Sequence, residues 1–351
     1  MAFTLVLSGG GLKGLAHIGV LRALEERGLE PSLVVGVSMG AVIGAAWAAG
    51  RRVRELEDRA LRLTRRDVFR IAHMDMALRR LGSPAVYRRE PLDRLISDLV
   101  GTLRFKDLPR RLLINTVDIN TGHQILWGLP GLDDALVADA AFASCALPGI
   151  LPPREVNGYF CADGAIVDNL PVRAAAAVGT GPVIAVDVGS IGIERTGLER
   201  LGFAMTYGRG IEIVMGRLAE LTLDDWDSPA LVLIRPRVSK ISMFAFNRTP
   251  VLISEGYRST LEALDLLPDG IDSLPPGGIH PLRHVEVKVD SPRCVGCGLC
   301  VAMNPRAFMM DARGRAVVRR EHQTWTPVGD AAVRACPTGA ISVVELSGEP
   351  R

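Results

Sequence analysis

A chain of 351 residues with 48% hydrophobic and 23% charged residues has the composition of a globular protein with a sizeable core, long enough for one large and one small domain. A formal net charge of +2 gives no nucleic-acid footprint. Met1 to Leu7 lacks the charged region of a secretory leader, and Gly36, Gly40 and Gly44 interrupt the apolar run, so the expectation is a cytoplasmic protein, peripheral to a membrane at most.

Phe3 to Leu7 reads as a buried strand. It runs into Ser8-Gly9-Gly10-Gly11-Leu12-Lys13-Gly14, after which Leu15, Ile18, Leu21 and Leu24 recur at helical spacing as far as Gly28. Leu33 to Val37 is a β-branched strand that ends in Gly36-x-Ser38-x-Gly40, and an Ala-rich helix follows to Gly50. Strand, sharp turn and helix is the context in which GxSxG carries meaning. The turn pushes the serine above the sheet, and Gly36 and Gly40 remove side chains that would clash there. The alternative is a chance match in a glycine-rich chain.

Arg51 to Arg111 reads as helices broken at Gly82-Ser83-Pro84 and at Pro91. It holds 16 Arg and one Lys against nine acids. Such a stretch suits anionic lipid headgroups, with a solvated, salt-bridged surface as the plainer reading. Leu112 to Ile119 and His123 to Trp127 are strands joined at Asn120-Thr121-Gly122, and Leu132 to Ala143 is helical. Asp163 closes a short strand and precedes Gly164; it can be held at the mouth of a site, with an ordinary turn aspartate as the plainer reading. Val183 to Val188 and Leu231 to Ile234 are strands; Phe203 to Leu223 and Val251 to Leu267 are helices. Strands alternating with helices imply a mainly parallel α/β sheet. Residues 268–284, rich in Pro and Gly, read as a linker between a domain over 1–267 and a second over 285–351.

The glycine loop has several meanings. Gly9, Gly11 and Gly14 fit the dinucleotide fingerprint, but the second strand lacks the acidic residue that would take the ribose. A phosphate loop needs Ser or Thr after Lys13, where Gly14 stands. An oxyanion hole, in which backbone N–H groups face a cavity, suits a nucleophile on the next strand. A plain tight turn remains the alternative. A serine also needs a base. None of the six histidines (17, 73, 123, 280, 284 and 322) lies at a late strand end, so a carboxylate is the candidate. In the second domain Cys294-x-x-Cys297-x-x-Cys300, with Cys336 before Pro337, has the spacing of a cubane cluster. Zinc would more commonly use two Cys-x-x-Cys pairs. Cys145 and Cys161 read as buried reduced thiols.

Together, the Gly9–Gly14 loop, Gly36-Val37-Ser38-Met39-Gly40, Ala143-Ser144-Cys145-Ala146-Leu147-Pro148, Asp163-Gly164 and Asp168-Asn169-Leu170-Pro171 resemble the patatin-like phospholipase family over about Phe3 to Leu267. The resemblance implies a three-layer α/β/α fold, a Ser38–Asp163 dyad and hydrolysis of lipid acyl esters. It also implies an oxyanion hole from the loop carrying Gly9, Gly10, Gly11, Lys13 and Gly14, with the Gly10–Gly11 backbone at its centre. Lys13 stands where the family commonly has Arg. Val285 to Leu346 resembles bacterial-type ferredoxins, of small α+β fold, which implies one 4Fe–4S cluster on Cys294, Cys297, Cys300 and Cys336. Asn304 takes the position of a second cluster's ligand. The expected protein is therefore a serine lipid acyl hydrolase with a ferredoxin module for redox sensing or for docking a redox partner. The rivals are an electron-transfer protein whose α/β domain docks it to membranes, and an acyltransferase using the same acyl-serine.

Overall fold

The computed structural model describes residues 2–70, 85–189, 202–267 and 269–346, with no side chains described for 202–205. The break expected at Gly82-Ser83-Pro84, His73 and residues 347–351 lie outside the described residues.

Strand β1 (Thr4–Leu7) leads through a 3-10 turn (Gly11–Leu15) into helix α1 (Ala16–Glu26), and β2 (Leu33–Val37) leads into α2 (Met39–Ala48). The basic region then forms α3 (Val53–Leu61), α4 (Arg65–Val68) and α5 (Glu90–Val100). Pro91, expected as a break, sits in the first turn of α5, where its missing N–H costs nothing. β3 (Leu112–Asp118) and β4 (Gln124–Trp127) form the expected hairpin. α6 (Val137–Cys145) starts five residues later than its apolar spacing suggests, because 132–136 form turns. β5 (Arg154–Val156), β6 (Tyr159–Asp163), α7 (Val172–Val178), β7 (Val183–Val186), α8 (Gly202–Asp224), β8 (Leu231–Ile234) and α9 (Thr249–Asp265) complete the large unit.

The strand order is β5-β6-β3-β2-β1-β7-β8-β9, where β9 is Ile279–His280 and β4 pairs separately with β3. β3-β2-β1-β7-β8-β9 are mutually parallel, while β4, β5 and β6 pair antiparallel. Alternating side chains of the central strands enter two separate cores, as the pleat requires. Leu5, Leu7, Val34 and Ile184 pack with α1, α2, α5 and α6 on one face. Val6, Val35, Val183 and Leu231 pack with α7 and α8 on the other. This is the expected three-layer α/β/α arrangement.

The stretch 268–284 differs from a free linker. Gly278 N donates to Asp227 O at 2.6 Å and Leu231 N to Gly278 O at 2.9 Å, which lays Ile279 beside Leu231 as the outermost strand. Side chains cause this: Ile271 and Ile279 are buried, so the apolar residues among the prolines dock rather than dangle. Two residues later β10 (Arg283–Val289) opens the small unit. It continues through α10 (Leu299–Met303), β11 (Phe308–Met310), β12 (Ala316–Val318), β13 (His322–Trp325), α11 (Ala331–Arg334) and β14 (Ile341–Glu345). β13-β10-β14 form one antiparallel sheet and β11-β12 another. The two units touch. Arg334 Nε donates to Glu220 Oε1 on α8 at 2.8 Å, and Arg235 Nη1 to Pro327 O at 3.0 Å. Val328 packs against the second core of the large sheet.

Candidate active site

β2 ends at Val37 and α2 begins at Met39, so one residue must turn the chain. Ser38 does so at φ 53°, ψ −123°, a conformation costly for any residue with a side chain. A Cβ at Gly40 would lie 2.2 Å from Leu7 O, and one at Gly36 2.6 Å from the Cα of Ala41. Glycine at both is therefore a condition of the turn. The buried Ser144 at the end of α6 fixes it further: Ser38 N donates to Ser144 Oγ at 2.8 Å, and that hydroxyl donates to Asn115 O at 2.7 Å.

Asp163 arrives on the other side of β3. Thr116 of β3 pairs with Asp163, and Asn115 pairs with Val37, so the strand between them sets the serine and the carboxylate side by side. Asp163 is buried and accepts from Ala165 N at 2.9 Å. Burial pushes its carboxyl up to about 7, against the hydrogen bonds from Ala165 and Ser38. Ser38, Asp163, Gly10 and Gly11 line one narrow cavity of about 60 Å³, walled by Val68, Phe69, Leu92, Leu147 and Met215 among others. Phe69 packs against Tyr87 with ring centroids 4.8 Å apart and the rings tilted by 43°.

The five loop residues singled out by sequence divide their work. Gly10 and Gly11 line the cavity. Gly9 N is spent on Asn169 Oδ1 at 3.0 Å, and Leu12 N on Met243 O at 2.9 Å, which pins the loop on both sides of them. Gly14 packs under Met39, with no room for a Cβ. Lys13 is buried and reaches Glu212 of α8, with Nζ–Oε1 at 3.4 Å, so its charge is held by α8. His17 is fully buried with Nε2 2.8 Å from Ser8 O, and burial pushes its pKa down to about 4. Cys145 also lines the cavity, its thiol pushed up by burial and then by the Asp163 charge.

Sequence reasoning attached no role to Ser144, Asn115, Asn169 or Glu212. Ser144 and Asn169 lay inside stretches it had marked; Asn115 and Glu212 carried no local signal.

In the small unit Cys294, Cys297, Cys300 and Cys336 line one cavity. Gly298, at φ 75°, turns the chain into α10 beside it. Cys336 Sγ accepts from Ala340 N at 3.3 Å. Burial works to raise this thiol, but hydrogen bonds from Ala340, Thr338 and Ile341 outweigh it and hold it below the ordinary value. Four sulfurs around one cavity, one already taking an N–H, fit a thiolate-held cluster. Among the described residues no three His, Cys, Asp or Glu converge on a point that would hold a single metal ion. Asn304 Oδ1 accepts from Ala307 N at 3.1 Å and so serves a turn.

Residues 5–176 match the patatin-like phospholipase family, and residues 289–343 match the 4Fe-4S single cluster domain of ferredoxin I. An uncharacterized NTE family protein of Mycobacterium bovis is 37% identical over 184 residues, which are 52% of this chain and 48% of that protein. Lysophospholipase NTE1 of Mycosarcoma maydis is 29% identical over 287 residues, 76% of this chain and 15% of that one. The chain thus spans about half the length, or less, of these curated relatives. VipD from Legionella pneumophila is similar over 79% of this chain and 71% of its own, at 14% identity and a TM-score of 0.43. With both family matches falling on the segments that carry the serine elbow and the cysteine cavity, the chain joins a domain of the patatin-like phospholipase family to a C-terminal domain of the single-cluster ferredoxin family.

Proposed function

We propose that the protein is a lipid acyl hydrolase in which Ser38 is the nucleophile and Asp163 its base. The observation that carries this reading is a strained serine and a buried carboxylate opening on the same apolar cavity as Gly10 and Gly11. Asp163 takes the Ser38 hydroxyl proton as Oγ bonds to the ester carbonyl carbon. The oxyanion accepts hydrogen bonds from the Gly10 and Gly11 amides, which have no backbone acceptor among the described residues. The C–O bond to the alcohol breaks, and Asp163 returns its proton to the leaving oxygen. Water then gives a proton to Asp163 and attacks the acyl-serine. Ser38 recovers its proton as the carboxylic acid leaves. A base near pKa 7 suits this shuttle, because it is half ionised at neutral pH and far stronger than an ordinary aspartate.

The apolar cavity favours acyl chains, and the lysophospholipase name of one relative supports phospholipid as the substrate class. Cys294, Cys297, Cys300 and Cys336 would hold one 4Fe–4S cluster, which supplies one-electron transfer when bound. That chemistry serves redox sensing or a redox partner and takes no part in ester cleavage. Among the described residues no helix is long and apolar enough to cross a membrane. The test is hydrolysis of a short soluble ester and of phospholipid by wild type, Ser38→Ala and Asp163→Asn. Loss of both activities in both variants, with native circular dichroism retained, supports the dyad; near-normal turnover in either removes it.

A further inference from the structure

A second pocket, open and about 860 Å³, lies between α3, α4 and α5. Seven arginines and five carboxylates line it. Arg59 is paired with Asp98, and Arg51 is spent on the carbonyls of Leu99 and Asp98. Glu55 is paired with Arg52, and Asp67 caps α4 through Thr64. The remaining guanidiniums, of Arg62, Arg66, Arg70, Arg88 and Arg94, have no carboxylate partner among the described residues. Over the whole lining, seven arginines against five carboxylates leave an excess of two positive charges in one concavity. Like charges held together repel, and their forks match phosphate oxygens in pairs, so the concavity is complementary to a phosphate-bearing anion.

Its position names the source of that anion. Arg66 on α4 and Arg70, two residues past its end, both line the basic pocket, while the buried Val68 between them faces the cavity over Ser38. On α5, Leu92 faces that cavity and Arg94 the basic pocket. Phe69 lines the first and Arg70 the second; the backbone of Arg70 is hydrogen-bonded to Arg88 N at 2.8 Å. The same short helices therefore wall the acyl site with one side and present unpaired guanidiniums with the other. We propose that this pocket is a headgroup site that seats the protein on anionic phospholipid, with the mouth of the acyl cavity against the bilayer. The proposal rests on the acyl-hydrolase reading for its choice of lipid over free phosphate, and it makes the preferred substrate a lipid within an anionic membrane.

The experiment compares wild type with Arg66→Gln/Arg70→Gln and Arg62→Gln/Arg94→Gln. A control pair, Arg313→Gln/Arg320→Gln, removes exposed arginines of the small unit. Sedimentation is measured with vesicles of phosphatidylcholine alone and with phosphatidylglycerol added, from low to high salt, with and without millimolar glycerol phosphate. Each headgroup-facing arginine contributes about fivefold to binding an anionic surface, so each pocket pair should lose roughly 30-fold in affinity for phosphatidylglycerol vesicles. The control pair should lose much less, high salt should erase the difference, and soluble ester turnover should not change. Equal binding by wild type and pocket variants, or equal loss in the control pair, overturns the site. Displacement by millimolar glycerol phosphate, with no vesicle preference, overturns the lipid as its ligand. Anionic-vesicle binding that depends on the pocket, in a protein without any esterase activity, upholds the headgroup site and fails the acyl-hydrolase reading alone.

Discussion

The serine site and the cysteine cavity are built in opposite ways. Around Ser38 the fold makes the site. A nine-stranded sheet with helices on both faces is built without the side chains proposed to react, and it forces the turn, buries Asp163 and pins the glycine loop. Around Cys336 the site makes the fold. The small unit has a core of eleven buried residues, two of them Cys294 and Cys300, proposed above as cluster ligands. A unit of about 60 residues buries too little apolar surface to stand comfortably without a staple. The contrast predicts that chemistry is separable from stability in the first region and not in the second.

The sharpest break of that contrast would be a serine variant that unfolds. Ser38→Ala and Asp163→Asn should each lower ester turnover roughly 10⁴-fold or more while circular dichroism stays native. Asp163→Asn should also melt higher than wild type above pH 7. The folded wild type binds its proton more tightly than the unfolded chain does, so its stability falls as pH rises from about 4 through about 7, and asparagine has no such loss. The same raised carboxyl predicts that kcat/KM for a soluble ester falls about tenfold per pH unit below 7 and levels off above it. A profile flat down to pH 5 would remove Asp163 as the base.

On the other side of the comparison, Cys297→Ala or removal of iron should abolish amide protection across residues 285–346 by hydrogen exchange, with soluble ester turnover of the same order as before. Anaerobic protein should carry about four irons per chain. About eight irons, or zinc alone, would contradict the single cluster. Ser144→Ala should cost about 1–3 kcal/mol in thermal unfolding, because Ser38 N loses its buried acceptor. The smallest effect should come from Glu220→Gln at the contact between the units. About 1 kcal/mol should be lost, read as earlier melting of the small unit alone, since Glu220 already has Arg217 as a second partner.

Much of the large unit was legible because its signals are local. Gly36, Ser38 and Gly40 stand in one turn, and β-branched runs mark β2 and β7. Asp163 was harder to read, because an aspartate before a glycine is an ordinary turn until β3 sets it beside Ser38. Asn115, Asn169 and Glu212 could not be read at all, since each acts across a long stretch of sequence: Asn169 on Gly9, 160 residues away, and Glu212 on Lys13, 199 residues away. Pro91 was misread for lack of context, since proline ends helices and also opens them. The stretch 268–284 misled for a related reason. Its prolines and glycines spoke for freedom, while Ile271 and Ile279 decided its place.

That last strand bears on how the protein can be divided. β9 covers one side of β8 with only Ile279 and His280, and Pro281 and Leu282 alone separate it from β10. Cutting the chain after Leu267 to isolate the large unit would strip this cover and bare a row of backbone N–H and C=O groups on an apolar strand. Such an edge recruits other chains. A fragment ending near His280 keeps the seam closed, so the place to separate the two units lies some 13 residues beyond where composition alone would put it.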